Sequence, residues 1–170
     1  KLAKNSTTNE LEARNARYEF FKEIYENNNI DFLLTAHTKS DNAETVIFRL
    51  SKGTGIQGLK GISPDIELNG MNVLRPLIEC SRNEIENYIE ENNLKVNFDS
   101  SNKNKKYKRN KVRLDIVPHF KELNENFEDS ILNTSKIAND YDKALDYFLD
   151  KEKIFKGKAI NTDIFILFPL

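Results

Sequence analysis

The chain has 170 residues, 38% of them hydrophobic and 31% charged, with a formal net charge of −1. That balance suits a folded globular segment rather than a disordered one, and no apolar run approaches the roughly 20 residues needed to cross a bilayer. A single cysteine, Cys80, excludes an internal disulfide and any Cys-x-x-Cys metal or redox motif within these residues, so the cytoplasm is the default compartment.

Residues 7 to 27 read as a helix: Thr7 and Glu10 have capping-box spacing, and Ala13, Ala16, Phe20 and Ile24 recur at helical intervals. "DFLLTA", Asp31 to Ala36, is short and apolar, as in a strand buried on both faces. A second helix follows at once, starting near Asp41, with Ala43, Val46, Ile47 and Leu50 as its apolar stripe and Gly53 as its stop. Helix, buried strand, helix is the alternation of an α/β domain with a parallel sheet.

Gly53, Gly55, Gly58 and Gly61 follow a helix rather than a strand, so they read as a backbone turn and not as a dinucleotide loop. Asn69-Gly70 between "DIEL" and "MNVL" predicts a hairpin. Ser81 and Glu84 predict a capping box before a helix with Ile85, Tyr88 and Ile89 on its inner face. "VNFDSSN" reads as loop, and "KYKRNKVRLDIV" as a basic helix ended near Pro118. A long amphipathic helix is expected from Phe127 to about Phe155, carrying Ile131, Leu132, Ile137 and Leu145, with Gly157 ending it. The chain starts at Lys1 and stops at the apolar "IFILFPL", and it reads as an interior piece of a longer protein. Residues 1–125 are expected to be part of one α/β domain, 126–156 a helical linker and 157–170 the start of a further domain.

Two constellations stand out. His37 lies where the predicted strand ends, and Asp41 and Glu44 open the helix after it. One reading makes Asp41 a helix cap, with Glu44 completing the box. The other uses the rule that open α/β sheets bind ligands outside the carboxyl ends of their strands. There, two carboxylates and an imidazole can hold an ammonium group, a metal-nucleotide complex or a proton in transit. The second constellation is "KNKKYKRNKVR", Lys103 to Arg113, with seven Lys or Arg and no acid. Arg109, Asn110 and Arg113, with Lys106 and Tyr107, form a basic stripe without a local counter-charge, suited to phosphates of a nucleotide or an RNA backbone. Arg14 and Arg17 in "EARNARYEFF" make a smaller pair of the same kind.

"LEARNARYEFF", "TAHTKSDNAETVIFRLSKGTGIQGLKGI", "RPLIECSRNEIENYIEENNL" and "DSSNKNKKYKRNKVRLDIVPHF" occur in that order. Together they resemble the tRNA(Ile)-lysidine synthetases of the PP-loop (N-type) ATP pyrophosphatase superfamily, over roughly residues 5 to 140. The resemblance implies a cytoplasmic bacterial ligase built on an adenine-nucleotide-alpha-hydrolase-like, Rossmann-like parallel sheet followed by a helical segment. The implied reaction attaches L-lysine to the wobble cytidine of an isoleucine tRNA with ATP and Mg²⁺; no membrane is involved, and dimerisation is left open. By resemblance, His37, Asp41 and Glu44 are catalytic. Asp41 and Glu44 would face the lysine ammonium or Mg²⁺, and His37 the reacting phosphate. Arg109, Asn110 and Arg113, with Arg14 and Arg17, would meet ATP phosphate or tRNA backbone.

The family's S-G-G-x-D-S phosphate loop is not among these residues; its expected place is upstream of Lys1. Two alternatives stand beside this reading: a PP-loop enzyme that thiolates tRNA, and a non-catalytic RNA-binding module in which His37, Asp41 and Glu44 merely cap.

Overall fold

A computed structural model describes residues 10–97, 108–151, 155–156 and 159–160. They form two compact units, Lys1–His37 with Ser63–Ile78, and Thr38–Ile62 with Glu79–Leu170.

The first unit is a helix on a small mixed sheet. Helix α1 spans Glu10–Asn27, and the strands are β1 (Leu33–Leu34), β2 (Asp65–Leu68) and β3 (Met71–Leu74). The sheet order is β1-β3-β2. β1 runs parallel to β3, with Leu33 opposite Val73, and β2 pairs antiparallel to β3. Asn69 (φ 54°) and Gly70 (φ 80°) both take the left-handed conformation of a tight hairpin turn, as their sequence predicts. Tyr18, Met71 and Val73 form the core, with Phe21, Tyr25, Leu33 and Leu68 around them.

The strand is shorter than "DFLLTA" suggests and is not buried on both faces, because Leu34 is 62% exposed and Phe32 is also exposed. Thr7, the expected cap of α1, lies outside the described residues.

The second unit is helical, with α2 (Lys39–Leu50), α3 (Ile56–Leu59), α4 (Arg82–Glu91), α5 (Lys108–Lys111), a π turn (Val112–Ile116), α6 (Val117–Leu123) and α7 (Phe127–Lys151). Two short strands, β4 (Phe155–Lys156) and β5 (Ala159–Ile160), pair antiparallel after it. Gly53 ends α2 at φ 77° as expected, and Ser81 and Glu84 close the expected box on α4. Tyr88, however, is exposed, leaving Ile85 and Ile89 as the half-buried face.

The basic helix does not stop at Pro118. Pro118 has no N–H, and its ring would strike the carbonyl four residues back in a regular helix. The chain widens instead, with the Val117 N–H reaching the Val112 carbonyl, and Pro118 sits in the first turn of α6. Ile47 of α2, Val112 and Val117 form the apolar core, flanked by Phe48, Ile116 and Phe127.

Helix α7 ends at Lys151, before Phe155, which belongs to β4; Gly157 lies outside the described residues. Its buried residues are Glu128, Ser135 and Ala138, whereas Ile137 and Leu145 are exposed. α7 therefore meets α2 and α3 through a polar seam rather than an apolar stripe. Lys39 Nζ donates to Asp129 at 2.7 Å and Ser40 Oγ to Glu128 at 3.0 Å. Asn42 Nδ2 donates to Ser135 at 3.2 Å and Lys60 Nζ to Asp142 at 2.6 Å. Each buried polar group of this seam thus keeps a partner, without which its burial would be unfavourable.

The glycine segment is a structural turn. Gly61 adopts φ 64°, and a Cβ there would lie 2.1 Å from Asn42 Oδ1. That oxygen accepts the Ile62 N–H at 2.7 Å, and Arg49 Nη1 donates to the Gly61 carbonyl at 2.8 Å. The close approach that glycine permits is to helix α2.

Candidate active site

The first turn of α2 organises the acids. Its N-cap is Thr38, not Asp41: Thr38 Oγ1 accepts the Asp41 N–H, and Asp41 Oδ2 accepts both the Thr38 N–H and its hydroxyl at 2.9 Å. Thr-x-x-Asp is a variant of the capping-box spacing, so the signal was present in "TKSD". Asp41 does contribute to the cap as one reading had it, but from the third helical position, and Glu44 takes no part in the box.

Capping engages one Asp41 oxygen. The other, Oδ1, accepts from Arg109 Nη2 and Arg113 Nη2, each at 3.3 Å. Glu44, one turn along and only 2% exposed, is held harder. Arg113 grips it as a fork, Nε to Oε1 at 2.6 Å and Nη2 to Oε2 at 3.0 Å, and Arg109 Nε reaches Oε2 at 3.2 Å. Both arginines come from the segment over α5 and the π turn, spaced by four residues so that they face α2 together. The hydrogen bond to Glu44 is the main cause that raises the Arg113 pKa; burial opposes it, and the charges of Glu44 and Asp41 add to it.

The basic stripe is therefore not without counter-charge: Asp41 and Glu44 neutralise its two arginines from far upstream. Asn110 lies between them and is buried. Lys106 and Tyr107 lie outside the described residues. Asn42, which sequence reasoning passed over, fastens the same helix to Ile62 and Ser135.

The remaining candidates belong to the first unit. His37 is half-buried, with Nδ1 2.9 Å from Thr35 Oγ1. The Thr35 N–H bonds the Leu74 carbonyl, which puts this segment at the carboxyl edge of the parallel pair. Arg14 lies over the Tyr18 ring, 5.0 Å from its centroid, while Arg17 is exposed.

Chemically, the cluster on α2 is two carboxylates and two guanidiniums in balance. It does not fit Mg²⁺ as arranged: both Asp41 oxygens and both Glu44 oxygens already accept from N–H or O–H donors, and two cations flank them. Among the described residues no group of three His, Cys, Asp or Glu is placed to hold a metal.

A family model described as a PP-loop domain matches residues 1–120. The chain belongs to the PP-loop domain family. Relatives named tRNA(Ile)-lysidine synthase include those of Clostridium tetani, 38% identical over 89% of this chain, and Clostridioides difficile, 41% identical over 88%. That of Thermosipho africanus is 43% identical over 75%. The chain spans about a third of the length of these proteins, covering 32%, 31% and 29% of them.

Among solved structures, the U34-tRNA thiolase NcsA of Methanococcus maripaludis with its [4Fe-4S] cluster matches 81% of this chain and 47% of its own at a TM-score of 0.62. At 16% identity, that likeness establishes the fold. The expected α/β class is thus the PP-loop fold. No helix among the described residues is long and apolar enough to cross a membrane.

Proposed function

We propose that the protein is a tRNA(Ile)-lysidine synthetase, a cytoplasmic ligase that joins L-lysine to the wobble cytidine of isoleucine tRNA. The observation that carries this reading is the similarity, across most of the chain, to relatives bearing that name. In the proposed reaction ATP, carried as its Mg²⁺ complex, adenylates the cytosine 2-oxo group and pyrophosphate leaves. The amine of lysine then attacks the same ring carbon, the C–O bond breaks, and AMP departs with the oxygen. A ring oxygen leaves poorly until it bears a phosphoryl group, so the enzyme must hold polyphosphate, base and amine together.

On this reading Asp41 and Glu44 present negative charge toward the lysine ammonium, while Arg109 and Arg113 fix the orientation of both carboxylates. The arginines also offer a second use, since a phosphate arriving beside them competes for the same N–H groups. Asn110 would meet ATP phosphate or tRNA backbone with Arg109 and Arg113, and His37 would face the reacting phosphate. Residues 1–125 would form part of the catalytic domain, 126–156 a linking helix and 157–170 the start of a following domain.

The test uses the full-length protein with unmodified isoleucine tRNA, ATP, Mg²⁺ and lysine. Mass spectrometry of digested nucleosides is expected to find a cytidine heavier by one lysine less one water, with AMP and pyrophosphate released in step. A sulfur-bearing nucleoside in a parallel reaction supplied with sulfide would move the assignment to thiolation, the activity named for the M. maripaludis neighbour. Binding of tRNA with no AMP and no altered nucleoside would leave an RNA-binding module.

A further inference from the structure

One arginine outside the site above has no counter-charge in hydrogen-bonding reach among the described residues. Arg75 follows the last residue of β3, is only 7% exposed, and its Nε has no hydrogen-bond partner among the described residues. The rest of the guanidinium is engaged: Nη1 donates to the Ser63 carbonyl at 2.5 Å, and the Tyr18 hydroxyl stands within hydrogen-bonding reach. Arginine is rarely buried to this degree unless paired, and a buried N–H without an acceptor is unfavourable.

Its surroundings add positive charge. The Tyr25 hydroxyl bonds the Asp31 carbonyl at 2.8 Å and receives the Asn72 N–H at 3.3 Å, near the starts of β1 and β3. Tyr18, two turns earlier in α1, packs on Met71 and Val73. Helix α1 therefore runs antiparallel to both strands, and its first half extends toward their carboxyl ends. Arg14, one turn earlier still, lies over Tyr18, and its charge acts on Arg75. Burial is the main cause that lowers the Arg75 pKa; Tyr18 and Asp65 oppose it, and Arg14 adds to it. Two guanidiniums thus share the edge where an open sheet binds its ligands, and the nearest acid acting on Arg75, Asp65, is exposed.

We propose that Arg75, with Arg14 beside it on Tyr18, binds a phosphate group, a phosphate oxygen taking the buried Nε–H of Arg75. Two guanidiniums on one spot suit a phosphate better than a single carboxylate. The phosphate belongs either to ATP or to the tRNA backbone, and this choice, unlike the site, rests on the function proposed above.

The experiment measures equilibrium binding of ATP and of isoleucine tRNA to the full-length protein, without lysine and at several salt concentrations. The variants are Arg75→Met, Arg75→Lys and Arg14→Gln. One ligand is expected to lose at least about tenfold in affinity in each folded variant while the other stays within about twofold. If tRNA is that ligand, the slope of log affinity against log salt falls by about one per arginine. Unchanged affinity for both ligands in folded Arg75→Lys and Arg14→Gln overturns the site. If neither Arg75 variant folds, exposed Arg14 decides, and unchanged binding in Arg14→Gln overturns the two-arginine site. Wild-type turnover reports separately on lysidine formation, so failure of that reading leaves the binding result interpretable.

Discussion

Arg113 and Glu44 form a two-bond fork, 2.6 Å and 3.0 Å, between side chains that are 18% and 3% exposed. A buried pair gains its strength only when both members are present. Glu44→Ala leaves two guanidiniums facing Asp41 alone and is expected to destabilise the domain by about 3–5 kcal/mol, read as a lowered denaturation midpoint. Arg113→Lys keeps the charge but loses the fork, so its stability loss should be smaller while turnover falls at least about tenfold. Near-normal turnover in Arg113→Lys would remove the fork from the mechanism.

The two duties of Asp41 can be separated. Thr38→Ala removes the cap and leaves the arginine contacts, so it should cost about 1 kcal/mol of stability with little change in turnover. Asp41→Asn keeps an acceptor for the Thr38 N–H but not the negative charge. Its turnover should fall by well over tenfold, and its stability should fall as well, because one amide oxygen cannot serve both the cap and the two arginines. Equal turnover in the two variants would reduce Asp41 to a cap.

This division explains what was legible in the sequence. The Asn69-Gly70 hairpin, the Ser81/Glu84 box and the Gly53 stop are local, each decided by residues within four positions, and all three were readable. The start of α2 was misread by a few residues because Asp41, a good cap by type, sits three positions inside a threonine cap. Pairing of Arg109 and Arg113 with Asp41 and Glu44 spans 65 to 72 positions, so nothing local to the basic run reveals its counter-charge. The packed face of α7 is hidden from periodicity for another reason: it carries buried Glu128 and Ser135 and half-buried Asn139, whose partners lie in α2 and at the end of α3.

Gly61→Ala tests the polar seam from the loop side. The substitution strains a backbone at φ 64° and drives a Cβ into the Asn42 amide, 2.1 Å away. The expected loss is about 1–3 kcal/mol. Asn42→Ala removes the closer clash, leaving Ser135 Oγ at 2.9 Å, and deprives the Ile62 N–H of its acceptor. The double variant should therefore be less destabilised than the sum of the singles, and strict additivity in a double-mutant cycle would show that the two positions do not touch.

The seam also predicts how pH acts. The Lys60 hydrogen bond lowers the Asp142 pKa from its ordinary 3.8, with burial opposing. The Asp129 hydrogen bond raises the Lys39 pKa above 10.5, again against burial. A depressed carboxylate contributes stability that is present above its unfolded pKa and is lost as pH falls through the folded value. A raised amine contributes stability that is present below its unfolded pKa and is lost as pH rises through the folded value. The seam should therefore hold across neutral pH and weaken below about 3.8 and above about 10.5. A carbon-detected titration of Asp142 should give a midpoint under 3.8 that moves upward in Lys60→Met. A midpoint unmoved by that substitution would mean that Lys60 does not hold Asp142 in solution, and that α3 and α7 are fastened by the Asn139 bond to the Lys60 carbonyl instead.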